Sequence, residues 1–215
     1  MGVPMILQGE RVSLRALARA DLDQVEAWTP YTDPLYVAWN EFPWHRMGKD
    51  LWYALESIDP AVERFAIVDR QARVIGLAAL VSVDGGPCPV LSIFLGSAYV
   101  NQGLGSDAVR TLLGYAFQER KCTAVRLEVA ATNARARRAY DKCGFRIVGS
   151  RYRPASDDRS LDCLDDERYR HLRRFCRQEN GRTCVLFYVM EIRVRDWRPP
   201  GSLAAAQPGT APCVE

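Results

Sequence analysis

Histidine is nearly absent from this chain: only His45 and His171 occur in 215 residues. Neither stands at ligand spacing from a cysteine, so no transition-metal site is expected. The seven cysteines contain no Cys-x-x-Cys pair. An odd number without paired spacing reads as the reduced thiols of a cytoplasmic protein. Charge of one sign is also lacking. The 29 basic and 26 acidic side chains leave a net charge of only +3, which is too weak to argue for nucleic acid. No helix-turn-helix, zinc-finger or RNP-type pattern occurs to support such a partner. No apolar run is long enough to span a bilayer, so no membrane is expected. The N-terminal segment lacks a basic stretch followed by an apolar core, and no secretory signal is predicted. Met1-Gly2 resembles a myristoylation start, but Ile6 stands where Ser or Thr is required. No Walker lysine follows Gly105, which argues against a nucleotide-binding phosphate loop.

What is present is the make-up of a globular protein, 48% apolar and 26% charged, with length for one sizeable core. Residues 1–197 are expected to form one domain, and the Pro-, Gly- and Ala-rich segment 198–215 to be a disordered tail. Val12 and Leu14 alternate with Arg11, Ser13 and Arg15, a half-buried first strand. Asp21 then stands as N-cap of a helix running to about Trp28, with Leu22 and Val25 inward. The aromatic-rich stretch from Trp28 to Tyr53 reads as loops around one short helix ending near Ser57. Phe65–Val68 and Val74–Val83 form a hairpin, and Val90–Leu95 is apolar enough for a central strand covered on both faces. Further strands are expected at Val125–Val129, Phe145–Tyr152 and Thr183–Val194, with helices after Ser106 and over Ala134–Lys142. Gly144 is suited to the left-handed position beyond the second helix. Residues 154–182 read as an insertion, helical over Leu161–Gln178.

Three features carry chemistry. Asn101-Gln102-Gly103-Leu104-Gly105-Ser106 joins a buried strand to a helix start. Free backbone N–H groups and the helix dipole converge there, a place that binds phosphate without charged side chains. An ordinary strand-to-helix turn would have the same glycines. Asn133 and Tyr140 lie two helical turns apart on one face, roughly 10 Å along the axis. Ala136 between them leaves room for an extended ligand; equally, Asn133 serves as an N-cap and Tyr140 as core. Glu128 lies on the polar side of the preceding strand, as a reactive carboxylate or as a surface charge beside Arg126.

The stretches "YVNQGLGSDA" and "RLEVAATNARARRAYDKCGF" together resemble the GNAT superfamily of acyltransferases, and the second is similar to bacterial ribosomal-protein N-acetyltransferases. The N-terminal "ERVSLRALARADLDQVEAW" is similar to the opening of the same relatives. The resemblance implies an α+β fold: a mixed, mostly antiparallel sheet of six to seven strands, helices on both faces, and a helical insertion before the last strand. It also implies acetyl-CoA as cosubstrate, Glu128 as general base and Tyr140 as general acid. Phe94, Leu95, Val100, Asn101, Gln102, Gly103, Leu104, Gly105, Ser106, Asn133, Ala136, Arg137 and Tyr140 would contact the cofactor, Asn133 at the pantetheine arm. The chain departs from the family pattern at Val100-Asn101, where Arg or Gln and then Gly are usual; because backbone amides do most of the phosphate binding, weaker cofactor affinity is the most this would cause. Val90–Leu95 carries no carboxylate, which places the base role on Glu128.

The acceptor would be a primary amine, of a small molecule or a protein N-terminus, attacking directly in a ternary complex. The protein would be a monomer or homodimer. A catalytically silent acyl-CoA sensor is the other class consistent with these residues. The acidic residues Asp157, Asp158, Asp162, Asp165, Asp166 and Glu167 could attract a polyamine, but are also what a helix start favours. The aromatic stretch is either a roof to the acceptor pocket or core packing.

Overall fold

The computed structural model describes residues 5–83, 85–155 and 164–199. The chain begins with a hairpin, β1 (Ile6–Gln8) and β2 (Val12–Ala16), followed by α1 (Asp21–Glu26), α2 (Trp44–Met47) and α3 (Lys49–Ser57). Next come β3 (Val62–Asp69), β4 (Val74–Val81), β5 (Val90–Leu95) and α4 (Leu104–Gly114), which runs on as a π turn over Tyr115–Glu119. The second half is β6 (Ala124–Ala130), α5 (Ala134–Lys142), β7 (Arg146–Pro154), β8 (Cys176–Glu179) and β9 (Arg182–Arg193). The strands form one sheet in the order β1-β2-β3-β4-β5-β6-β9-β7, with β8 also on β9. Every pairing is antiparallel except β5 with β6.

The strand periodicity explains how both faces are covered. On β3, Phe65 and Ile67 join the core beneath α4, while Ala66 and Val68 join Leu22, Val25, Trp44 and Trp52 on the other face. Helix α4 buries Ala108, Leu112 and Leu113 completely. Its Asp107 is also buried and faces the β1–β2 turn, where its carboxylate accepts from the N–H groups of Glu10 (3.2 Å), Arg11 (2.8 Å) and Val12 (3.0 Å). One side chain thereby satisfies three turn donors that the hairpin leaves unpaired, and it fixes α4 to the sheet's first edge.

Several expectations need correction. Among the described residues the sheet has nine strands rather than six to seven, because Ile6–Gln8 and Cys176–Glu179 pair as well. Asp21 is the first helical residue of α1 and not its cap; its carboxylate is held by the Arg15 guanidinium (2.7 Å to each oxygen) and the Ala18 N–H (2.7 Å). Leu161–Gln178 is not a helix. Residues 161–163 lie outside the described residues, Arg170–Phe175 is a short 3₁₀ turn, and Cys176–Glu179 is a strand. Asn180 (φ 50°) and Gly181 (φ 74°) are successive left-handed residues. They make the two-residue turn that folds Cys176–Glu179 back on β9. β5 is central in the sheet, but of its residues only Leu91 is buried and Ser92 is exposed. The expected disorder of residues 198–215 falls mostly outside the described residues.

Replacing Asp107 tests the link between α4 and the hairpin. Asp107→Asn leaves one acceptor oxygen for three donors and is expected to lower stability by about 1.5–3 kcal/mol, the range for hydrogen bonds to charged groups. Urea denaturation of the variant should show a lower midpoint with an unchanged slope.

Candidate active site

The site begins where the sheet fails to close. β5 and β6 share a single register pair, Val90 opposite Arg126, and then diverge. The Gly96 N–H donates to the Ile75 carbonyl at 3.1 Å, which sets the phase of the β4–β5 ladder. With Leu95 opposite Gly76, antiparallel alternation turns the peptide groups of Ile93 and Leu95 away from β4 and into the gap. The Tyr31 hydroxyl donates to the Leu95 carbonyl at 2.7 Å, and the Leu95 N–H points the same way.

Two clefts meet at this gap. The first, of about 260 Å³, lies between the start of α4 and the face of α5. The second, of about 670 Å³, is bounded by β5, β6, β7 and the loop before α2. Trp39, Ile93, Asn133, Ala136 and Tyr140 line both.

At the α4 start, Asn101 (φ 62°) and Gly103 (φ 80°) both adopt left-handed backbone. Asparagine is among the few side chains that tolerate this conformation. Its presence therefore accommodates the turn without the usual glycine. The N–H groups of Leu104, Gly105 and Ser106 open α4 and have no intrahelical acceptors. Gly105 is needed for packing: a Cβ there would lie 2.8 Å from Leu95 Cδ1.

Of the residues expected at the cofactor, the first cleft brings together Leu95, Val100, Asn101, Gly103, Gly105, Ser106, Asn133, Ala136 and Tyr140. Four side chains turn elsewhere. Phe94 is on the opposite face of β5, among Trp28 (5.7 Å), Trp39 (5.5 Å) and Phe42 (5.7 Å). Strand alternation puts it out of phase with Ile93 and Leu95. The Gln102 side-chain amide donates to the Ala98 carbonyl at 2.7 Å, and the backbone carbonyl of Gln102 accepts from the Arg11 guanidinium. Leu104 is buried in the core, leaving only its N–H at the cleft. Arg137 stacks over the Tyr188 ring at 5.1 Å. The cations that do line the cleft are Arg135, Arg138 and Lys142. Their i, i+3, i+7 spacing was available in the sequence as a basic helix stripe beside Ala136 and Ala139.

Asn133 does cap α5, accepting from the Ala136 N–H at 3.0 Å, and it also lines both clefts. Tyr140 packs its ring edge-on to buried Phe145 (5.9 Å). Burial pushes its hydroxyl up to about 12, with the nearby Cys143 thiol adding to the shift. Tyr140 therefore keeps its proton across the working pH range.

Glu128 lines the second cleft. It is not paired with Arg126, whose guanidinium is taken by Glu191 at 2.7 Å. Instead Arg151 Nη2 stands 2.5 Å from one carboxylate oxygen and Arg153 Nη1 3.0 Å from the other. Both arginines were missed, although their period of two on one strand was a signal for a shared face. The aromatic stretch is divided: Trp44 and Trp52 are core, while Tyr36 and Trp39 line the second cleft. Arg135 sits 4.2 Å over the Tyr36 ring.

Among the described residues no helix is long and apolar enough to cross a membrane. Comparison with known proteins bears on the fold and the family. The spermidine N(1)-acetyltransferase of Vibrio cholerae is 26% identical over 137 residues, 63% of this chain and 79% of that protein. A GNAT-family acetyltransferase structure from Bacillus anthracis shares the fold with a TM-score of 0.63 at 17% identity, covering 88% of this chain and 98% of that one. The V. cholerae spermidine N-acetyltransferase solved with CoA and spermine gives a TM-score of 0.61 at 22% identity, over 86% and 96% of the two chains. Residues 11–146 match the acetyltransferase (GNAT) domain family. That match spans well over half of the chain, which therefore belongs to the GNAT acetyltransferases, acyltransferases whose donor is acetyl-CoA.

Proposed function

We propose that the protein moves an acetyl group from acetyl-CoA to the primary amine of a small molecule or a protein N-terminus, by direct attack in a ternary complex. The observation that carries this reading is the meeting of two clefts at Tyr140, one suited to the donor and one containing Glu128. The first cleft fits the cosubstrate. The unpaired N–H groups opening α4 suit a pyrophosphate, and Arg138 and Lys142 supply cations for phosphate. Ile93, Leu95 and Ala136 give an apolar lining to the inner end, where a pantetheine chain would run.

Acetyl-CoA supplies a thioester carbonyl that accepts an amine. The residues must then do three things. An alkyl amine has a pKa near ~10 and arrives mostly protonated at neutral pH. Glu128, directly or through a water, takes that proton. The Leu95 N–H faces the gap as a fixed donor for the carbonyl oxygen as charge develops there. Tyr140 donates to the departing sulfur. Its hydroxyl, near 12, holds the proton more tightly than a thiol near ~8.5. The proton therefore stays mainly on the hydroxyl, which stabilises the departing thiolate as a hydrogen-bond donor, and the released thiolate takes its proton from solvent.

Four measurements test these roles. Tyr140→Phe should keep the fold and acetyl-CoA affinity while turnover falls roughly 10²-fold or more. In the unmodified protein, turnover should show no alkaline decline below about pH 10, because the hydroxyl stays protonated there; a falling limb near pH 8 would remove Tyr140 from the donor role. Glu128→Gln should depress turnover most at low pH, with partial recovery as the free amine fraction rises. Wild-type rates in that variant at every pH would leave Glu128 as a surface charge. Gly105→Val should weaken acetyl-CoA binding at least tenfold in calorimetric titration, because the new side chain displaces Leu95 and the α4 start together.

A further inference from the structure

The acceptor cleft has a charge that the proposed reaction does not by itself require. Among the described residues that line it only three are ionic: Glu128, Arg151 and Arg153. Two guanidinium groups thus face one carboxylate. Each arginine spends one recorded contact on Glu128, 2.5 Å for Arg151 and 3.0 Å for Arg153. A guanidinium has five N–H donors, so the contact with Glu128 uses only part of what each arginine offers. Their side chains are 60% and 50% exposed, against 22% for Glu128, so both guanidinium groups reach the solvent at the mouth of the cleft. Arg153 is further oriented by the Phe187 ring, 5.0 Å beneath its guanidinium.

Among the described residues, the neighbouring carboxylates have partners outside the cleft. Asp165 pairs with Arg173, Asp166 with Arg168 and Glu167 with Arg170. Asp33 accepts from the Tyr169 hydroxyl at 2.8 Å. Asp157, Asp158 and Asp162 lie outside the described residues. The described cleft is therefore positive around its one carboxylate. A polyamine brings several ammonium groups, and all but the one facing Glu128 would meet like charge. A planar carboxylate or a phosphate, in contrast, matches the fork of a guanidinium.

Resting on the acetyl-transfer reading above, we infer that the acceptor is a small amine carrying its own carboxylate or phosphate a few bonds from the nitrogen. Arg151 and Arg153 hold that anion while Glu128, between them, faces the amine. Arg151 and Arg153 are in this assignment specificity residues, and the volume of about 670 Å³ suits a small molecule. The charge pattern is opposite to what a polycation such as spermine, bound in the V. cholerae structure, would favour.

Matched amines test this with the full chain and acetyl-CoA, reading thiol release. β-Alanine is set against propylamine, O-phosphoethanolamine against ethanolamine, and spermidine is run beside them. At least one anionic member should exceed its uncharged partner tenfold or more in kcat/KM, mainly through KM, and the two pairs separate carboxylate from phosphate recognition. In Arg151→Met and Arg153→Met the ratio within that pair should collapse towards one, and Arg153→Lys should restore part of it. Equal or better use of the uncharged partner in both pairs, or better use of spermidine than of either anionic amine, by the unmodified chain overturns the inference. So does a uniform loss on all amines in both Met variants. Acetyl-CoA binding is titrated separately: binding without anion preference sinks this inference alone, whereas no binding and no turnover with any amine sinks the acetyl-transfer reading with it.

Discussion

The parting of β5 from β6 is the constraint on which the rest of the molecule depends. A parallel pair that stops after Val90 and Arg126 leaves backbone donors and acceptors unpaired in the middle of a sheet, which is costly wherever water is excluded. The fold answers in two ways. Tyr31 reaches across to occupy the Leu95 carbonyl, and the remaining peptide groups are exposed to clefts where a ligand can use them. The same divergence removes the cover that β5 would have as an ordinary central strand. It also makes room for α4 to present its N-terminus and for α5 to present Asn133, Ala136 and Tyr140 along one wall.

Much of this was legible in the sequence because local periodicity and tertiary burial agree. α5 begins and ends at the expected residues, Asn133 caps it and Gly144 takes φ 96° beyond it. The inward residues of α4 are those its 3.6-residue spacing implies. Local signals failed where long-range contacts intervene. Asp21 looks like a cap until Arg15 and the Ala18 N–H claim its oxygens. Phe94 is next to two cleft residues in sequence but a strand places neighbours on opposite faces. Charge pairing was the least readable property, because Glu128 finds its partners on β7 and Arg126 finds Glu191 on β9. The Asn180-Gly181 dipeptide was a hairpin signal, masked by the mixed charges around it.

The two clefts have different electrostatic logic. In the first cleft the positive end of α4 and the α5 cations act together, so an anion there is attracted by dipole and by charge. In the second cleft the carboxylate of Glu128 is held between cations, one at each oxygen. This fixes its rotamer. Preorganisation of that kind is how a site avoids rearranging charge during reaction.

The last strand has a further consequence, for how the molecule is made. β9 pairs with β6, β7 and β8 alike, so half the sheet is closed by residues synthesised after all its other strands. Until Arg182–Arg193 leaves the ribosome, β6 has only its single register pair with β5, and the apolar faces of Val125 and Leu127 have no second neighbour. The hairpins from β1 to β5 depend on nearer partners and can form earlier, whereas the Glu128 side of the site waits for a contact some sixty residues away in sequence. Such late, non-local closure makes folding slow and leaves open strand edges exposed to aggregation in the meantime.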